Sequence, residues 1–197
     1  MGTDETEHDL ERILRSELPM LEVQLKDGSI EEKRQALDRL SELGQVAKPL
    51  IPVVLSMVDQ QSPWLTASAL VRLLKATEDE IIVQALRKAN LLGGLGIYDQ
   101  ADCFRYGAEE LEDNLRLYIW QHRHTPGDPA RPEVVKALGE KGGQEALKMM
   151  NALLVELGEY NQLQAKDILE DVKNKAQVSL REQVRKSIKQ LEERGIR

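Results

Sequence analysis

Apolar positions recur every three to four residues along most of the chain. Leu37, Leu40 and Leu43 follow that spacing, as do Leu70, Leu73 and Leu74. Ala146, Met149, Met150, Leu153, Leu154 and Leu157 make a wider stripe of the same period. This is the pattern of amphipathic helices. No stretch alternates apolar and polar residues long enough to read as a strand. The spacing predicts helices over 7–26 (broken or kinked at Pro19), 30–43, 49–58, 63–76, 78–92, 107–122, 132–141, 143–157, 161–176 and 179–194.

Start and stop signals match these spans. Ser29–Glu32, Thr77–Glu80 and Ser179–Glu182 have the capping-box form, and Ser62-Pro63 offers an N-cap followed by proline. Gly44, Gly93, Gly158 and Gly195 each follow an apolar run, where a helix end favours glycine. Residues 93–107 read as a glycine-flanked connection. Residues 125–132 hold three prolines and read as a linker between a helical segment 1–124 and a helical hairpin segment 133–197. The two segments are expected to stack as one unit.

Helices of this length joined by short loops suggest repeated hairpins. The stretch from Pro19 lines up with the stretch from Ile51, with Asp27 falling on Asp59 and Arg34 on Thr66. Residues 31–44 align without gaps on 182–195, bringing Arg34 onto Arg185, Leu40 onto Leu191 and Gly44 onto Gly195. Asp27, Arg34, Ala36, Leu40, Leu43 and Gly44 resemble the pattern of HEAT-type repeats of the bacterial kind over residues 20–76 and 179–195. The second unit departs from it at Thr66, and the third lacks the Asp, having Val178 there. The resemblance implies an all-α fold, a solenoid of about ten helices in stacked antiparallel hairpins. In it Asp27, Arg34, Asp59 and Arg185 would be structural, and Arg34 is expected to be partly buried and engaged by Asp27 or by a neighbouring carbonyl. The resemblance carries no catalytic residue.

Composition narrows the function. The chain has 197 residues and a formal net charge of −7, which argues against nucleic acid as a partner, since phosphate binding needs a concentrated basic face. The most apolar stretch, 49–58, is far short of the roughly 20 residues that span a bilayer. The acidic start MGTDETEHDLERI lacks the basic and apolar parts of a signal peptide, and the single cysteine, Cys103, forms no internal disulfide. A soluble, cytoplasmic protein is expected.

No motif assigns a reaction. His122 and His124 stand two apart, a spacing that splays them on a helix, so no metal site is expected. The Gly93-Gly94-Leu95-Gly96 run lacks the preceding strand and following Lys-Ser/Thr of a phosphate loop. Cys103 has aromatic neighbours and no adjacent base, which reads as a small buried side chain. Catalytic, cofactor and metal residues are therefore expected to be absent. Five of the seven aromatics, however, fall between 98 and 120. Among these residues Tyr98, Arg105, Tyr106 and Trp120 are candidates for a partner-binding surface, because Trp, Tyr and Arg dominate interface energetics. The expected function is a non-enzymatic interaction or scaffold module for a protein or peptide, with a basic or amphipathic partner favoured by the charge. The alternatives are an enzyme on a helical-repeat scaffold, or a regulatory or structural subunit of a bacterial assembly.

Overall fold

The computed structural model describes residues 12, 14–58, 66–125, 127–164 and 171–196, with side chains described for these except 158–164 and 171–179. It is all-helical, with no strand among the described residues. Two compact units divide between Leu95 and Gly96.

The first unit begins with α1 (Leu18–Asp27), where Pro19 occupies the first turn and starts the helix rather than kinking it. Helix α2 (Ile30–Leu43) carries the full capping box: Ser29 Oγ accepts from Glu32 N–H, and Glu32 accepts from Ser29 N–H at 2.7 Å. A 3-10 turn (Gly44–Leu50) leads into α3 (Ile51–Leu55). Helix α4 (Ala67–Thr77) is capped by Thr66, whose hydroxyl accepts from Ala69 N–H, and α5 is Ile81–Lys88. The Ser62-Pro63 signal lies outside the described residues. Thr77 caps nothing: it ends α4, buried, and donates to Leu73 C=O at 2.8 Å. Helix α1 packs on α2 and α3, α2 on α4, and α5 on α3 and α4. Leu25, Leu40, Val54, Leu70, Leu74, Ile82 and Leu86 are wholly buried between them. Each such side chain contributes about 2 kcal/mol of transfer free energy.

The expected Asp27–Arg34 pair does not form. Both residues are exposed, because the buried stripe of α2 runs through Ala36, Leu37, Leu40 and Leu43 and turns position 34 to solvent. Arg39 does the joining instead. Its guanidinium makes two 2.8 Å bonds to the Glu17 carboxylate, just before α1, and a third to Glu42. Those bonds hold Glu17 below the usual carboxylate range. Arg72 of α4 pairs with Asp38 of α2 at 2.8 Å. Asp59 lies outside the described residues.

The second unit comprises α6 (Ile97–Arg105), a 3-10 turn (Glu109–Leu111), α7 (Glu112–Gln121), α8 (Arg131–Lys141), α9 (Gln144–Gln164) and α10 (Asp171–Glu193). Helix α6 occupies the stretch that the glycines mark as a connection. Helix α8 is central, packed by α6, α7, α9 and α10, and buries Val134, Val135, Ala137 and Leu138. Residues 127–132 belong to this unit, where Asp128 and Arg131 make the contacts described below. Ser179–Glu182 falls inside α10, and Gly158 falls inside α9, so neither marks a helix end.

The 31–44 and 182–195 echo has a physical basis. Ala36 and Ser187, Leu37 and Ile188, and Leu40 and Leu191 are buried in the same register. Gly44 (φ 59°) and Gly195 (φ 79°) both turn the chain out of the helix through positive φ. After Gly195, Ile196 N–H donates back to Leu191 C=O at 3.1 Å. Arg185, like Arg34, is exposed, so the echo records an amphipathic helix with a glycine stop rather than a buried ion ladder.

Candidate functional site

The four candidate residues are dealt with separately by the fold. Arg105, at the end of α6, is an internal hub. It donates to Asp102 (2.9 Å), Glu140 (2.9 Å) and both the carboxylate (3.1 Å) and the carbonyl (3.0 Å) of Glu133. These bonds hold α6 to α8 and commit most of the guanidinium to the unit's own acceptors. Tyr106 is half-buried where α6 ends. Tyr98 and Trp120 are exposed, at 45% and 40%.

Behind Trp120, the end of α7 is tied down by a polar network that the sequence reading missed. Tyr118 donates its hydroxyl to Asp128 at 2.8 Å, and its ring stacks on His122 with centroids 4.3 Å apart. Asp128 also accepts from Ala130 N–H at 3.0 Å, the local bond that turns the chain into α8. His122 Nδ1 lies 3.3 Å from the same carboxylate. Arg131 donates to the carbonyls of His122 (3.1 Å) and Arg123 (3.0 Å), just past the end of α7. These contacts convert a proline-rich stretch into a fixed corner. The signal in sequence was Asp128 two residues before Ala130, an Asx-turn spacing.

Burial, and then the Asp128 carboxylate, push the Tyr118 phenol up to about 12. A raised phenol favours the neutral form in the folded state. Its contribution is complete below the ordinary value of 10.0 and is lost as pH rises through about 12. Tyr118→Phe is therefore expected to lose on the order of 1 kcal/mol at neutral pH. Between pH 10.0 and 12 its stability should fall less steeply than wild type's, measured by urea unfolding. Parallel pH curves in that window would contradict the assignment.

On the outer side, Arg123 stacks over the Trp120 ring, 4.4 Å from its centroid, and pairs with Glu156 of α9 at 2.6 Å. His124 Nε2 lies 2.9 Å from the same Glu156 oxygen. At the other end of α7, Glu112 accepts from Gly143 N–H at 3.2 Å, beside the start of α9. Start meets start and end meets Glu156, so α7 and α9 run parallel. Positions 113, 117 and 120 share the outward face of α7 by helical spacing. Leu117 is 54% exposed there, and Val155 on α9 is 62% exposed. Leu115 and Ile119, on the opposite face, are wholly buried.

Cys103 is buried in α6, and burial, followed by the charges of Asp99, Asp102 and Glu110, pushes its thiol up to about 12. It is a packing group and not a thiolate nucleophile. Alkylation by iodoacetamide at neutral pH is expected only after denaturant unfolds the second unit. Modification of the native protein at the rate of a free thiol would overturn this. Among the described residues, no group of three or more His, Cys, Asp or Glu is placed to hold a metal ion, and no helix is long and apolar enough to cross a membrane. Comparison with protein-family models, curated proteins and solved structures finds no match.

Proposed function

We propose that the chain is a non-enzymatic protein-interaction module that engages a protein or peptide through the outer face of α7 and α9. The observation that carries this is the pairing of exposed Leu117 and Trp120 on one helix face, with Trp120 held in place by Arg123. A large aromatic fixed by its neighbour meets a partner at little entropic cost, and Trp and Arg are the residue types that concentrate binding energy. Other strong groups nearby, Arg105 and Arg131, are spent on the fold. The proposal includes a HEAT-like arrangement of hairpins. In the first unit α1, α3 and α5 contact one another in sequence while α2 and α4 pack beside them, as expected of neighbour-on-neighbour stacking. A cytoplasmic setting belongs to the same reading, because the buried Cys103 stays a thiol there.

The test pairs stability with capture. Leu117→Ala/Trp120→Ala is expected to unfold within about 1 kcal/mol of wild type, since neither side chain is in the core. It should lose partners that the wild-type protein retains from a lysate of the source cells, compared by mass spectrometry. An identical set of captured proteins would sink the reading. So would a loss of roughly 3–5 kcal/mol, which is the signature of core aromatics.

A further inference from the structure

The interaction reading leaves the partner's chemistry open, and the surface around Leu117 and Trp120 supplies it. The N-terminal end of the α7–α9 face is acidic. Glu109, Glu110 and Asp113 are exposed at the start of α7, and Glu145 is exposed at the start of α9. The cations here are already bound: Arg116 to Asp113, with Glu112 at 3.8 Å, Lys148 to Glu145 at 2.7 Å, and Arg194 to the Glu140 and Gly142 carbonyls just before α9. Carboxylates outnumber cations at this end. Proceeding along the two parallel helices, the exposed surface becomes apolar, through Leu117 and Trp120 on α7 and Ala152 and Val155 on α9.

Acids in a first turn interact favourably with the dipole of their own helix, which accounts for Glu109, Glu110 and Asp113 taken alone. The dipole does not account for exposed Leu117, Trp120 and Val155 adjoining them on two neighbouring helices. An acidic end running into an apolar strip is complementary to one kind of ligand, an amphipathic helix with Lys or Arg beside its apolar anchors. The chain's net charge of −7 favours encounter with such a segment and disfavours a second copy of itself.

We propose that the α7–α9 face seats a basic amphipathic helix of a partner protein. Its apolar residues lie on Leu117 and Trp120, and its Lys or Arg side chains lie over Glu109, Asp113 and Glu145. The proposal rests on the interaction-module reading above.

The experiment uses the full chain and two labelled synthetic peptides of roughly 18 residues, about five helical turns. One is built from Leu and Lys, and the other keeps the Leu pattern with Glu in place of Lys. Fluorescence anisotropy is expected to show saturable binding of the Leu/Lys peptide, at least about tenfold tighter than the Leu/Glu peptide. Asp113→Lys/Glu145→Lys should weaken the Leu/Lys peptide by about tenfold and improve the Leu/Glu peptide. Leu117→Ala should weaken the Leu/Lys peptide without altering the thermal midpoint. If both peptides bind equally and both are lost in Leu117→Ala, the face is a docking surface but the basic partner is wrong. If neither binds, or if the charge reversals change nothing, the proposal fails. A concentration-dependent dimer abolished by Leu117→Ala/Trp120→Ala would assign the face to a second copy and overturn it as well.

Discussion

Replacing Arg131 by Met is expected to destabilise the second unit by about 3–5 kcal/mol, the range for breaking a buried charge arrangement by removing one member. Arg131 is 3% exposed, and burial lowers its pKa while Asp128 and Tyr118 act in the opposite direction. Its Nη1 donates to the His122 carbonyl, which also accepts from Thr125 N–H, and to the Arg123 carbonyl just beyond α7. It also brings positive charge to the negative end of that helix. Met fills similar space but neither donates nor carries charge, so the Arg123 carbonyl loses this donor and the His122 carbonyl keeps only Thr125 N–H. The Asp128 carboxylate, with only 8% of its side chain exposed, loses its nearby cation. Arg131→Lys retains the charge without the guanidinium fork and should fall between Met and wild type. Urea unfolding would read the change as a lower midpoint at unchanged slope. A Met variant within about 1 kcal/mol of wild type would mean that water satisfies this corner and that Arg131 is not its keystone.

That corner also shows where reading the sequence stopped. Local signals with local causes were legible. The Ser29–Glu32 box needs only four consecutive residues, and it forms as the spacing predicts. The buried stripe of α2 follows from one periodicity. Helix α6 was not legible, because Gly96 and Gly107 bracket it and the glycine run before it reads as a connection. What fastens it is Arg105 reaching Glu133 and Glu140, 28 and 35 residues away. The same limit explains the misassigned repeat arginine. Arg34 and Arg39 are equally charged on one helix, and only the neighbour carrying Glu17 distinguishes them, 22 residues from Arg39. Thr77–Glu80 has the letters of a capping box, but Thr77 lies at the end of a helix and spends its hydroxyl on Leu73. For the proposed surface, the sequence singled out the stretch 98–120 by its aromatics, Trp120 among them. It did not separate the inward arginine from the outward aromatic, since both fit a binding composition. Leu117, three residues before Trp120, was readable by spacing alone.

The second large effect concerns a close approach of two helices in that unit. Gly139 of α8 faces Ser187 of α10, and a Cβ added at Gly139 would fall far inside van der Waals contact with Ser187 Cβ and Cα. Ser187 is itself fixed, 3% exposed and donating to Val135 C=O at 3.0 Å. Gly139→Ala must therefore push two helix backbones apart. The cost of such overpacking is about 1–3 kcal/mol and is expected at the upper end here, because no flexible side chain can yield. This outweighs the gain of about 1 kcal/mol that alanine normally brings to a helix interior. The sign separates the two environments: an exposed helical glycine is stabilised by alanine, and this one is destabilised. Ser187→Gly alone should also lose stability, through the lost bond to Val135 and the added backbone freedom. In the double variant Gly139→Ala/Ser187→Gly, however, the clash with the serine Cβ is gone. The double should be less destabilised than the sum of the two singles by about 1 kcal/mol or more, a coupling expected only of residues in contact. An additive cycle, or a stabilising Gly139→Ala, would show that α8 and α10 do not meet at this point.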